Sequence, residues 1–364
     1  YQIPFICLCA FFILSIPRGY FFGTIKFGAT VLWLLVTITT MLCTYIMHTK
    51  SLYSIHKNSI LKYFILSVPL FVTFSLISYF IFGGSNLSQI FIDSSMYQKS
   101  IMLSYFGIDV ERTVLPFTFG FNTMGTLCAI SIIIGMSLIV KSKKKLLSTF
   151  ILVIGLTGIL IVDNRSALIF ALICLVYTPF FIKFGFKGTS ILIILISLII
   201  YVIFPSEIFL ELDFNRNNQN FVGALTIRPL IWINAILFLS NFRIAHLIGY
   251  GYNGHVVEGV NDIFSEFIDN YVGTFSLHNA YLQAIFDIGY FGLIFLLIVI
   301  FKSLGYYRSR YLYDKNWINF CSLALIIFLV LQSFIEGTIH IGNPSFILFF
   351  NLILLPYMKK SGTK

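Results

Sequence analysis

The sequence predicts an all-α integral membrane protein of about ten transmembrane helices, with one large extracytoplasmic loop that contains short helices. Three observations predict it. Hydrophobic residues make up 58% of the chain and charged residues only 10%, too few charges to clothe a water-soluble domain. The apolar stretches are unbroken and of helix length, without the alternation of an outer-membrane barrel. Basic residues also cluster in alternate connections, as topology requires.

The apolar spans fall near 3–17, 27–47, 61–82, 117–140, 146–162, 166–182, 189–204, 279–301, 317–335 and 344–358. A further apolar segment, 229–242, is too short to span and reads as an interfacial or re-entrant helix. The chain opens on Tyr1 without a cleavable signal, so it reads as N-terminally truncated, with helices expected upstream. It is taken as a single polytopic domain over 1–364, with 205–278 as the long loop. If the Lys-rich C-terminus is cytoplasmic, the connections 48–60, 141–145, 183–188 and 302–316 hold most of the lysines and only one acid, Asp314. That is a positive-inside pattern, and it accounts for most of the net charge of +10. The charge is therefore topological and does not call for nucleic acid. The six cysteines all lie in apolar segments and read as small buried hydrophobes.

Chemistry collects on the opposite, extracytoplasmic face. Arg165 sits in a tight turn between two spans and either pairs with Asp163 or binds an anion. Arg228 precedes Pro229 at a helix start, as a snorkelling residue or a bidentate phosphate ligand. His278 enters the span 279–301, as a cap or as a general base. Asn279, Gln283 and Asp287 are spaced by four, so they share one helical face that lipid cannot satisfy. Gly289 and Gly292 beyond them suit close helix contact. His246, His255 and His340 are further histidines on this face. Glu258, Asp262, Glu266 and Asp269 read better as a solvated helix face than as a cation site.

Taken in order, "DNRSALIFALICL", "RPLIWINAILFLSNFRIAHLIGYGYNG" and "HNAYLQAIFDIGYFGLIFLL" resemble motifs of the O-antigen ligase and polysaccharide polymerase family of bacterial membrane glycosyltransferases. "ERTVLPFTFGFNTMGTLCA" is similar to a further family segment, in which an arginine precedes an Asn-containing helix start. Asp163-Asn164 stands where the family leads with Thr or Ser, and Asp287 where glutamate is commoner. The resemblance implies transfer of a glycan from a polyprenyl diphosphate to an acceptor hydroxyl, outside the cytoplasmic (inner) membrane. On that reading Arg165 and Arg228, with Arg112, hold the diphosphate. His278 takes the acceptor proton, and Asn279, Tyr281, Gln283 and Asp287 bind or orient sugar and base. No cofactor or metal is expected, because the diphosphate is already a good leaving group. The partners are lipid-linked donor and acceptor, the bilayer, and a chain-length regulator and flippase of the same pathway. The short chain without an added domain favours a repeat-unit polymerase. The alternatives are a ligase acting on lipid A–core and, in another class, a lipid-linked oligosaccharide flippase, which would place ionisable groups at midmembrane.

Overall fold

The computed structural model describes residues 2–52, 59–82, 100–104, 107, 113–117, 120–141, 144–203, 224–257 and 277–357. Its helices are α1 (Ile3–Phe21), α2 (Phe27–Leu52), α3 (Ser59–Phe82), α4 (Ile101–Ser104), α5 (Phe121–Lys141), α6 (Lys145–Val162), α7 (Arg165–Ile203), α8 (Ala224–Ser240), α9 (Ala245–Ile248), α10 (Ala280–Asp314), α11 (Trp317–Gln332) and α12 (Pro344–Leu354). No strand occurs among the described residues. Backbone groups in lipid must bond within their own segment, and helices are how this sequence achieves it. Among the described residues, seven helices are long and apolar enough to cross a membrane: α1, α2, α3, α5, α6, α7 and α10. The apolar stretches near 317–335 and 344–358 give the shorter helices α11 and α12, of 16 and 11 residues. The segment 229–242 forms most of α8.

The bundle is built around α5 and α11, whose side chains are buried nearly all round. Glycines let α6 lie directly on α5: a Cβ on Gly155 would meet the Cys128 carbonyl at 2.9 Å, and one on Gly135 the Leu152 nitrogen at 2.8 Å. By contrast, α2, α3, α6 and α7 turn large apolar side chains outward, among them Leu35, Leu70, Val153 and Val176. On a chain of this composition such faces meet lipid.

Residues 183–188 hold a tight turn between two helical segments of α7: the backbone leaves the helix at Gly185 (φ 64°, ψ −156°), and the Tyr177 hydroxyl donates to Thr189 Oγ1 across it. One expectation changes: 302–316 is not mostly a connection, because α10 continues to Asp314. Lys315 then takes a left-handed conformation and Asn316 caps α11. Near the other face, α10 breaks at Gly289 (φ 74°, ψ 178°). Gly289 and Gly292 therefore do not serve simply as a helix-contact pair. The three atoms nearest a Cβ on Gly292 all belong to the Ile288 side chain, across that break.

The turn between α6 and α7 shows why Asp-Asn works there. Asp163 closes α6 in the left-handed region (φ 53°), which a short polar side chain tolerates. Asn164 then starts α7, its Oδ1 accepting from the Ala167 N–H at 3.1 Å.

Candidate active site

The break at Gly289 positions the site. Non-helical backbone there frees the carbonyls of Phe286 and Asp287. They accept instead from the N–H groups of Tyr250 (2.6 Å) and Gly251 (3.1 Å). The "GYGYNGH" loop that follows α9 is thereby stitched along α10. The approach is close enough to need glycine on both sides: a Cβ on Gly249 would lie 2.5 Å from the Gly289 nitrogen. Arg18 of α1 donates to the carbonyls of Ile248 and Gly249, holding the loop from its other side.

The polar stripe foreseen on α10 is present, and protein groups satisfy it. Gln283 donates to Asp287 Oδ1 at 2.8 Å, and its amide nitrogen lies 2.9 Å from His255 Nδ1. The same Asp287 oxygen accepts from the Gly254 N–H at 2.9 Å. The other, Oδ2, lies 2.9 Å from His340 Nε2. The ring nitrogen makes no directed hydrogen bond to that oxygen. His340 stacks on Tyr252, ring centroids 5.1 Å apart. Burial and the nearby Asp287 charge push the Tyr252 phenol above its ordinary value, so it stays neutral. Asp287 itself is buried behind the site as a hub.

His278 lies at the mouth of α10 in a left-handed conformation (φ 48°), uncommon for a residue other than glycine. Its neighbours hold it there. The Leu277 carbonyl accepts from Trp232 Nε1 of α8 at 2.8 Å. Ala280 N–H donates to the Ser333 carbonyl beyond α11 at 2.8 Å. Asn279 caps α10, its Oδ1 accepting from Tyr281 and Leu282 N–H at 3.0 Å each. His278 Nδ1 is 3.5 Å from Oε2 of Glu336, a buried carboxylate in the α11–α12 connection. Glu336 was not singled out from the sequence. Its one signal is that it is a lone acid beside a long apolar run.

His278, Asn279 and Gln283 line a cavity of about 590 Å³, together with His255, Glu336 and His340. Such a volume suits a small-molecule or sugar-sized group. The N-termini of α5, α10 and α12 all open onto it, through Phe121, Asn279 and Pro344. Their aligned dipoles favour negative charge nearby.

The remaining expected residues are placed less directly. Tyr281 does not line the cavity: its hydroxyl donates to the Val330 carbonyl at 2.8 Å, tying α10 to α11. Arg165 is half-buried and does not line it either. It does not pair with Asp163, and no ion pair or hydrogen bond engages it among the described residues. Asp163 Oδ1 instead accepts from the Met102 N–H at 3.2 Å. The α6–α7 turn nevertheless borders the cavity, because Asn164 Nδ2 donates to the carbonyl of the lining residue Asn122 at 3.4 Å. Arg228 lies in α8, one turn before Trp232 and on the same face, but its side chain is outside the described residues. Arg112 is outside them as well. Its neighbour Thr113 donates to the Ile161 carbonyl at 3.3 Å, next to the same turn. Glu258, Asp262, Glu266 and Asp269 also lie outside the described residues.

Residues 150–297 match the family model described as O-antigen ligase. Over that stretch the chain is similar to the O-antigen ligase family. Members are glycosyltransferase-like, multi-pass membrane enzymes acting on lipid-linked saccharides. Comparison with curated proteins returns no match. The segment shared with the O-antigen ligase family contains Arg165, Arg228, His255, His278, Gln283 and Asp287. Glu336, His340 and the α5 N-terminus, which complete the cavity, lie outside it.

Proposed function

We propose that the protein is a polysaccharide repeat-unit polymerase. It transfers a polyprenyl-diphosphate-linked glycan to a hydroxyl of another lipid-linked repeat unit, on the extracytoplasmic side of the cytoplasmic membrane. The observation that carries this reading is His278, open to the cavity at one end of the helices and backed by the Glu336 carboxylate. A carboxylate behind a histidine orients the ring and stabilises the imidazolium that forms as it takes a proton. With Nδ1 turned to Glu336, Nε2 is the nitrogen that accepts the proton of the acceptor hydroxyl.

The step balances without a co-reactant. The acceptor oxygen bonds to the anomeric carbon of the donor as His278 takes its proton. The bond from that carbon to the diphosphate oxygen breaks, and polyprenyl diphosphate leaves with the electron pair. Attack opposite to the leaving group inverts the anomeric configuration. Arg165, Arg228 and Arg112 are the groups we assign to the departing diphosphate, helped by the positive ends of α5, α10 and α12. Asp287 and Gln283 act behind His255 and His340, keeping the wall of the site in register.

A location at the helix ends also supports a transferase over a transporter, whose ionisable groups belong at midmembrane. The test is incubation of purified protein with a polyprenyl-diphosphate-linked repeat unit as both donor and acceptor. A ladder of multiples that is lost in His278→Ala, and that survives a chelator, is the expected result. No ladder from wild-type protein, but transfer once lipid A–core is added, would overturn the polymerase reading in favour of a ligase.

A further inference from the structure

One wall of the cavity has a character that the transfer step does not explain. Trp33 of α2 lies against Tyr252 with ring centroids 5.4 Å apart, and Tyr252 lies against His340 at 5.1 Å. All three rings line the cavity. Tyr252 is sandwiched and buried, so Trp33, only partly buried, is the ring at the end of the stack with area to offer. The backbone fixes the middle ring firmly. Tyr252 N–H donates to the Ser15 carbonyl at 2.8 Å, and its own carbonyl accepts from Thr24 Oγ1 at 2.6 Å. Beside the stack, Asn122, Thr123 and Asn253 offer neutral amide and hydroxyl groups. Among the described residues no lysine or arginine lines the cavity.

A flat aromatic face, flanked by neutral hydrogen-bonding groups and with no lysine or arginine beside it among the described residues, suits a pyranose ring. One face of a pyranose is C–H and packs on a π-surface, while its edge of hydroxyls needs donors and acceptors. The rings themselves offer nothing to a diphosphate, which the helix N-termini on the same cavity favour. We propose that Trp33, supported by Tyr252 and His340, is the stacking platform of a saccharide subsite, and that Trp33 sets the affinity for the sugar part of the lipid-linked substrate. The proposal rests on the glycan-transfer reading for its ligand class. Trp33 lies far outside the segment shared with the family, so this chain's sugar preference would reside in its own N-terminal helices.

The experiment measures equilibrium binding to purified full-length protein, independently of turnover. One probe is the labelled polyprenyl-diphosphate-linked repeat unit from cells lacking the protein; the other is sugar-free polyprenyl diphosphate. Trp33→Ala is expected to weaken the sugar-bearing probe by roughly tenfold while leaving the sugar-free probe within about twofold. Trp33→Phe, which keeps a ring, is expected to recover most of the loss, and Trp33→Leu, apolar without a ring, is not. Equal weakening of both probes would overturn the proposal, since Trp33 would then act on the lipid or on folding. Unchanged binding of both would overturn it too. The reading of His278 as base fails separately: ladder formation retained in His278→Ala would sink that step and leave the Trp33 result standing.

Discussion

Two helices break at a glycine in the same conformation, and the two breaks do different things. Gly185 in α7 and Gly289 in α10 both combine positive φ with extended ψ, a region closed to other residues. At Gly185, the carbonyls of Phe181 and Ile182 are met by one side chain: Arg308 Nε donates to them at 3.2 and 3.0 Å. At Gly289, the carbonyls of Phe286 and Asp287 are met by the backbone of Tyr250 and Gly251. A side-chain donor repairs the break locally. A backbone donor brings a whole loop with it, and that loop carries Tyr252, Asn253 and His255 to the cavity. The type of donor decides whether the break stays a tight turn between two helical segments or becomes one wall of a site.

The largest expected effect separates the two glycines. Gly289→Ala would place a Cβ 2.4 Å from the Leu247 carbonyl, against backbone that cannot retreat. It should cost about 3 kcal/mol or more, and abolish transfer. Gly185→Ala is strained in φ too, but its Cβ meets the flexible Arg308 side chain at 3.1 Å, which can give way by loosening its bonds to the Phe181 and Ile182 carbonyls. It should cost about 1–2 kcal/mol and retain turnover. Thermal unfolding in detergent and ladder formation measure both, and equal losses would break the comparison.

Next comes the hub. Asp287→Ala leaves the Gly254 N–H and the Gln283 amide short of an acceptor in a buried place. About 3 kcal/mol of stability and most activity should go. Asp287→Asn keeps an acceptor for Gly254 and should lose less stability, so the pair isolates the charge that faces His340. On the other face, Arg308→Met strands two carbonyls at the α7 turn. A cost of about 1–2 kcal/mol, with sugar binding and turnover per folded molecule unchanged, is expected there. A loss of turnover would mean that the turn communicates with the site.

The smallest effect is an acid sensitivity confined to the α9 side. His246 is buried among Phe238, Phe242 and Tyr250, with Nδ1 accepting from the Arg243 N–H at 3.2 Å. Burial, then the Arg243 charge, holds its imidazole below the ordinary 6.5. The unfolded chain therefore binds this proton first as the pH falls below 6.5. Stability is fully present above that value and declines beneath it. In a His246→Asn variant the fall in melting temperature over that range should be shallower. An unchanged slope would assign the acid sensitivity elsewhere.

Much of this was legible in the residues. The spacing of Asn279, Gln283 and Asp287 announced a polar helical face, and His278 stood at its mouth. The assignment of Asn279 as a cap followed from residue type and position. Tyr281 was less legible, because the letter that could touch a sugar here ties two helices together. Gly289 was legible in half: it gives the close contact expected of it, against Leu247 and Ile248 of α9, and it also breaks the backbone, which only φ and ψ reveal. Glu336 and Trp33 had no spacing to betray them, each reaching the cavity from a distant helix end.

By itself, the sequence determined that this chain is a helical membrane protein, where its helices run, and which residue types gather at one membrane face. Those follow from local physics: hydrocarbon demands satisfied backbone, and an isolated polar stripe demands company. Tertiary structure alone decided the company. It set Glu336 behind His278, laid the glycine loop along the broken α10, and ranged Trp33, Tyr252 and His340 along one wall. Those contacts join segments tens to hundreds of residues apart, and they depend on how neighbouring helices pack, which no local pattern encodes.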